Sequence, residues 1–310
     1  MTTETLSFVG VTASRSSINE VFPRWADVLG LGADLRPLDL PQDTPPERYR
    51  QVAAEMRDTP GLVGALVTSH KVRLLEAAGD LFDELDEYAR QCHELSCIVS
   101  RGGRLRGSAK DPVTSGAATD DLLPSGHFRR TGGHVICLGA GGSGLAFALY
   151  LLTRRDPRDR PPRIVLADRD AERLEATRTV LERYPWGDTE VELVAGADAG
   201  VNDRLVGAAP PGSLVVNATG LGKDAPGSPL TDDVSWPAAG YVWDFNYRGD
   251  LVFLEQARTQ AAERDLHLED GWRYFVHGWS AVVADVFDLD LDDGDVDRLA
   301  EAAADLRPRR

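Results

Sequence analysis

Val135-Ile136-Cys137-Leu138-Gly139-Ala140-Gly141-Gly142-Ser143-Gly144 is the stretch that decides the fold of this chain. An apolar, β-branched run enters a glycine turn, and the apolar segment Leu145 to Leu152 that follows reads as a helix. Strand, glycine turn and helix in that order make the seat of a dinucleotide's pyrophosphate. Gly139 permits the tight turn, Gly141 lets the backbone approach the phosphates, and Gly144 lets the helix pack on its strand. The N–H groups of Gly142 and Ser143 then face the anion from the helix N-terminus. A glycine triplet alone is weak evidence, and a plain glycine-rich turn is the competing reading. The context is what favours the dinucleotide: a second strand, Ile164 to Ala167, follows and ends in Asp168.

An acid at the end of that second strand accepts hydrogen bonds from ribose hydroxyls and repels the 2′-phosphate of NADP. Asp168 lies 27 residues past Gly141, and the charged, proline-bearing insert from Thr153 to Arg163 accounts for the length. Arg169 and Arg173 are the guanidinium groups an NADP site would supply. With Asp168 and Asp170 flanking Arg169, the expected cofactor is NAD, NADP staying open, and Asp170 is alternatively a helix N-cap.

The 310 residues suffice for two domains with real cores. A formal charge of −16 argues against a nucleic-acid or anionic-membrane partner. The expected partner is a small carboxylic acid, held in a local pocket, and a homodimer is left open. Cys92, Cys97 and Cys137 are odd in number, and Cys137 falls in an apolar strand, so neither a disulfide framework nor a metal site is expected. The chain shows no run of 18 apolar residues and no basic-then-apolar leader, and a reducing, cytoplasmic setting is expected.

Before the glycine turn, apolar runs alternate with helical patterns. These are Leu6 to Val11, Ile18 to Leu29, Leu35 to Leu40, Pro46 to Arg57 and Leu62 to Thr68. A hairpin from Ile98 to Arg106 turns at Gly102-Gly103. After the turn come strands at Ile164 to Ala167, Val191 to Val194, Leu214 to Asn217 and Tyr241 to Phe245. Helices are expected at Trp272 to Phe287 and Asp297 to Leu306. The fold class is α/β. An α/β substrate domain over 1–112 is expected, with 272–310 folding back on it. A Rossmann-type, doubly wound dinucleotide domain is expected over 113–271. The acidic stretch from Asp288 to Asp295 fails the register of a calcium loop and is expected to be a solvated turn.

Hydride chemistry needs a group that handles the alcohol proton. Gly64-Ala65-Leu66-Val67-Thr68-Ser69-His70-Lys71 and Gly107-Ser108-Ala109-Lys110-Asp111-Pro112 offer Lys71, just past a strand's C-terminal edge, and Asp111, where the chain crosses between domains. A surface lysine and an Asp-Pro turn are the bland alternative.

Taken in order, these residues resemble the shikimate and quinate dehydrogenase family. The family's serine motif is similar to Gly10 to Ser17, and its lysine motif to Leu66 to Lys71. Its Asp motif resembles Gly107 to Asp111, and its dinucleotide turn Leu138 to Gly142. Its Asn-Ala-Thr strand end near the nicotinamide resembles Asn217-Ala218-Thr219, and its Asp-x-x-Tyr resembles Asp244 to Tyr247. The resemblance implies Lys71 as acid/base and Asp111 as its partner. It implies Ser14, Ser16 and Tyr247 as neutral donors to a substrate carboxylate, Thr68 as a ring-hydroxyl contact, and Asn217, Ala218 and Thr219 beside the cofactor. Read bottom-up, Ser14 and Ser16 are equally helix caps and Tyr247 a half-buried core aromatic.

The departures matter too. Ser17 stands where the family has proline, Ser96 where it has the substrate-binding asparagine, Ala109-Lys110 where it has Asn-Thr, and His277 where it has a glutamine that binds a ring hydroxyl. Unpaired buried polar groups cost about 1–3 kcal/mol each, so such changes are expected to alter the preferred ring acid toward a quinate-like, amino-substituted or deoxygenated one. A catalytically silent sensor that binds NAD and ligand is the rival. A third reading has reduction of an imine or another carbonyl acid assisted by Lys110 or His277.

Overall fold

Short apolar runs in the first hundred residues pair into one sheet. Its strands are β1 (Glu4–Gly10), β2 (Ala33–Asp39), β3 (Leu62–Val67), β4 (Glu84–Leu85), β5 (Cys97–Arg101) and β6 (Arg104–Ser108). The computed structural model that shows this describes residues 3–307 apart from Ala197 and Asp224. The strand order is β2-β1-β3-β5-β6-β4. Parallel pairs join β1 to β2 and β3, whereas β5 runs antiparallel to both β3 and β6. The β5–β6 hairpin turns on Gly102 and Gly103, both left-handed at φ 59° and 74°, as a tight two-residue turn requires.

The helix Ile18–Leu29 buries Ile18, Val21, Phe22 and Trp25, the i, i+3, i+4, i+7 stripe of an amphipathic helix. The Trp25 indole N–H donates to the Leu299 carbonyl at 2.8 Å, which ties this helix to Asp293–Ala302. That last helix starts four residues before the expected Asp297. Asp292 accepts from the Asp295 N–H while the Asp295 carboxylate accepts from the Asp292 N–H, a reciprocal capping box. Half of the acidic stretch is therefore a helix start, where the dipole favours carboxylates, rather than the turn expected of it, while Asp292, Asp293 and Gly294 are exposed as expected.

The second sheet comprises β7 (Val135–Leu138), β8 (Arg163–Asp168), β9 (Glu190–Ala195), β10 (Leu214–Asn217), β11 (Tyr241–Asp244) and β12 (His267–Glu269). All its pairs are parallel, in the order β12-β11-β10-β7-β8-β9. β7 and β10 are buried along their whole length, as the unbroken apolar runs of a sheet covered on both faces must be. The order reverses between β7 and β10, the switch point at which doubly wound sheets open a ligand crevice. Three-residue β12 went unforeseen, because it is too short to show alternation.

The chain divides into two units, Met1–Asp111 with Val276–Arg310, and Pro112–Phe275. Each sheet belongs to one of them. The three cysteines are buried and free. Among the described residues, no helix is long and apolar enough to cross a membrane.

Candidate active site

Lys71 is delivered by a short, heavily braced connection. After β3 the Thr68 N–H bonds the Val9 carbonyl at 2.9 Å, and Ser69 adopts a left-handed φ of 41°, a strained conformation for a residue with a Cβ. His70 is buried. Its Nε2–H donates to the Leu40 carbonyl at 2.9 Å, which leaves Nδ1 to accept from the Tyr49 hydroxyl at 2.7 Å. Burial holds His70 below its ordinary pKa, in the neutral form this tautomer needs. Lys71 then opens the helix Lys71–Ala78.

The Lys71 ammonium donates to Asp111 Oδ2, so the two residues meet in an ion pair whose side chains are mostly enclosed. Asp111 is the first residue of the helix Asp111–Leu122, where the dipole favours a carboxylate. A third ionisable group, unforeseen from the sequence, completes the cluster. Glu94 is 3% exposed, and its Oε1 lies 4.0 Å from Lys71 Nζ with no hydrogen-bond donor. The Leu95 N–H bonds the Lys71 carbonyl at 3.1 Å and so fixes the two backbones side by side. Burial works against the Lys71 ammonium, but Asp111 and Glu94 outweigh it and raise its pKa. The Glu94 carboxyl is pushed up to about 7 by burial, against the pull of Lys71 and with that of Asp111. Nothing periodic surrounds Glu94 in sequence, so its burial had no signature.

Two of the other expected substrate contacts of the first unit, Ser14 and Ser96, have partners of their own. Neither Ser14 nor Ser16 caps the helix Ile18–Leu29 by its side chain; the N-cap is Ser17, without a side-chain bond. Ser14 gives both its N–H, at 2.9 Å, and its hydroxyl to the Asp39 carboxylate, and these hold that carboxyl below its ordinary pKa. Ser96 Oγ accepts from the Lys110 N–H at 2.6 Å, leaving its one proton to donate elsewhere. The Lys110 ammonium pairs with Asp285 at 2.6 Å, and Asp285 also receives Arg106. Lys110 is thus engaged in an ion cluster with Asp285 and Arg106. Thr68 is half-buried, and His277, 8% exposed, sits in the helix Trp272–Phe287.

In the second unit, the glycine turn has the shape a dinucleotide needs. Gly139 has φ 105°, and a Cβ there would lie 2.7 Å from the Ala218 carbonyl group. A Cβ on Gly144 would fall 2.1 Å from the Gly139 carbonyl oxygen. Over Gly141 there is open space, and the helix Gly142–Thr153 that it caps has no side chain satisfying its first N–H groups. An uncapped helix N-terminus under an open glycine cradle fits a pyrophosphate. Asp168 Oδ2 accepts from the Ala140 N–H at 2.9 Å, while Oδ1 accepts from the Asp170 N–H at 3.0 Å. Asp170 does cap the next helix, accepting from the N–H groups of Glu172 and Arg173. Arg173 pairs with both acids, and Arg169 is exposed.

The β10 end is stiffened by a buried amide network. Asn217 Oδ1 accepts from the Thr219 N–H and hydroxyl, and Nδ2 donates to the Leu221 carbonyl and to Asp244. Its side chain is fully buried and used in shaping the loop. Ala218 is half-buried and Thr219 exposed, so these two present the loop's surface. Tyr247 is half-buried, its ring 5.5 Å from that of Trp272 and 4.8 Å from that of Phe275.

No protein-family model matches the chain. It is 34% identical over 220 residues to a shikimate dehydrogenase (NADP+) of Symbiobacterium thermophilum, covering 70% of this chain and 68% of that one. A Rhodopseudomonas palustris protein of the same name is 33% identical over 237 residues, covering 75% and 74%. Among solved structures, quinate dehydrogenase from Corynebacterium glutamicum in complex with NAD superposes with a TM-score of 0.75 at 22% identity, covering 98% and 99%. Shikimate 5-dehydrogenase from Thermus thermophilus in complex with shikimate gives 0.70 at 20% identity, covering 98% and 99%. A glycine cradle at a sheet's switch point and a lysine–aspartate pair thus coincide with relatives of one name over most of the chain. This protein belongs to the shikimate dehydrogenase family, dehydrogenases that act on a CH–OH group with a nicotinamide cofactor.

Proposed function

We propose that this chain moves a hydride between NAD and the ring carbon bearing the hydroxyl or keto group of an alicyclic acid of the shikimate or quinate type. The enclosed Lys71–Asp111 ion pair carries this reading. The first unit would hold the acid and the second the dinucleotide. When bound, the nicotinamide supplies or takes the hydride. Lys71 gives or receives the proton at the reacting oxygen, and Asp111 orients its ammonium. Ser14, Ser16 and Tyr247 are proposed to hold the substrate carboxylate, and Thr68, Ser96 and His277 to read the remaining ring substituents. Ser14 has one hydroxyl proton, so it turns from Asp39 to the substrate on binding.

NAD is favoured over NADP because the ribose end carries Asp168 and Asp170 against Arg169 and Arg173, with Arg173 already paired to both acids. A 2′-phosphate would add about two negative charges to a balanced set. Serine and histidine in place of the family's asparagine and glutamine shift the preferred acid away from shikimate itself.

Steady-state rates with shikimate, quinate and amino- or deoxy-substituted analogues, each with NAD and NADP, test this. Shikimate with NADP as clearly the best pair would overturn both preferences. No reduced nicotinamide with any acid would overturn the dehydrogenase and leave a ligand-binding sensor.

A further inference from the structure

Glu94 has no part in the chemistry just described, yet it is the most deeply enclosed carboxylate next to Lys71. We propose that Glu94 is a positioning residue that exchanges a proton with Lys71, taking the proton that Lys71 receives from the substrate hydroxyl and returning it when the ketone is reduced. The inference rests on the dehydrogenase function proposed above.

Geometry supports it. Glu94 Oε1 is shut off from water, lacks any donor, and has the Lys71 ammonium 4.0 Å away. A buried carboxylate oxygen without a partner costs stability, and proteins rarely retain one without use. The Leu95 N–H bond to the Lys71 carbonyl keeps this spacing. Asp111 meets the same ammonium, so Lys71 stands between two carboxylates and needs to move only about 1 Å to hydrogen-bond Glu94. Among the described residues, the titratable groups that face Glu94 are Lys71 and Asp111, each opening a helix, and Cys92 at the end of the helix Glu87–Cys92, which Asp86 caps. The Cys92 thiol is pushed up to about 12 by burial and stays neutral. Asp86 is engaged by the N–H groups of Ala89 and Ala109. Among the described residues Lys71 is the cation that faces Glu94, and the carboxyl's pKa, pushed up to about 7, suits exchange at neutral pH.

The step balances. On oxidation the substrate C–H bond breaks and both electrons leave with the hydrogen as hydride to the oxidised nicotinamide. The hydroxyl O–H breaks as an N–H forms on Lys71, and another Lys71 N–H breaks as an O–H forms on Glu94. Between oxidative turnovers the Glu94 O–H breaks as an N–H re-forms on Lys71, whose 19% exposed side chain releases the proton to solvent, and reduction reverses each transfer.

Initial rates of oxidation from pH 5.5 to 9 test the proposal, using the ring acid that the wild type turns over best, with wild type, Glu94→Gln and Glu94→Asp. In parallel, 13C NMR of the substrate-free protein follows the Glu94 carboxyl and Lys71 Cε signals. The wild-type kcat should rise about tenfold per pH unit to a plateau, with its midpoint near 7. Glu94→Gln should lose that limb and at least tenfold in plateau kcat with KM changed less than threefold, and Glu94→Asp should regain a limb. The Lys71 signal should move at the midpoint of the Glu94 titration. A Glu94→Gln enzyme with the wild-type limb and kcat within twofold, or a loss carried by KM, overturns the role of Glu94 alone. No wild-type turnover, with the coupled titration intact, overturns the dehydrogenase reading instead. Independent titration of the two signals overturns the exchange.

Discussion

Replacing Glu94 by glutamine should stabilise the protein, and more so as pH rises. Burial moves the Glu94 carboxyl from 4.5 up to about 7, with Lys71 opposing and Asp111 assisting. A pKa raised on folding means that the folded state holds the proton more tightly than the unfolded chain. The cost of ionising Glu94 is absent below the unfolded value, grows as pH passes from about 4.5 to 7, and is fully present above it. At 1.36 kcal/mol per unit, the plateau cost is about 3 kcal/mol, falling to about 1 kcal/mol at pH 5. Glutamine carries no such cost, and whatever its amide loses in contacts does so equally at every pH. The difference in unfolding free energy between variant and wild type should therefore be about 2–3 kcal/mol more favourable to the variant at pH 8 than at pH 5. Urea titrations read by hydrogen exchange in peptides of the first unit would measure it, because that unit holds Glu94. A difference that is the same at both pH values would refute the reasoning, since it would mean that Glu94 ionises as freely in the fold as in the open chain.

Three further outcomes are expected. Lys71→Met should lower turnover by roughly 10²–10⁴-fold while dinucleotide affinity, read by fluorescence titration, stays within about threefold. Gly144→Ala should abolish dinucleotide binding in calorimetry, because a Cβ 2.1 Å from the Gly139 carbonyl forces the turn apart. His70→Leu should cost roughly 2–5 kcal/mol in urea melts, since it strands the buried Tyr49 hydroxyl and the Leu40 carbonyl together, and an unchanged melt would dismiss the bracing role of His70.

Much of the framework could be read from sequence, for physical reasons. Strands buried on both faces spell continuous apolar runs, as Val135–Leu138 and Leu214–Asn217 do, and Gly102-Gly103 has one compact use between two strands. Lys71 and Asp111 lie just past strand ends, but it was the family resemblance that set them above a surface lysine and an Asp-Pro turn, and the fold brings them into one ion pair. Glu94 was not legible. A single Glu in His93-Glu94-Leu95 looks solvated, and it comes to lie beside Lys71 and Asp111 through tertiary contacts such as the Leu95 N–H bond to the Lys71 carbonyl. The partners of Ser14 and Lys110, Asp39 and Asp285, lie 25 and 175 positions away in the chain, and local spacing gives no hint of either. The helix beginning at Asp293 was misplaced because a run of carboxylates reads as solvent-facing until its two capping bonds are seen.

The ion cluster around Asp285 has a bearing on how the chain is made. Arg106 and Lys110 belong to the early part of the first unit, whereas Asp285 arrives only after the whole second unit has been synthesised. A ribosome therefore releases the segment bearing Asp111 with its two neighbouring cations still unmatched. The continuous second unit can fold in the meantime, as segments of consecutive sequence do during synthesis. The first unit gains its last anchor when the final helices emerge, so the segment that leads into Asp111 is secured late.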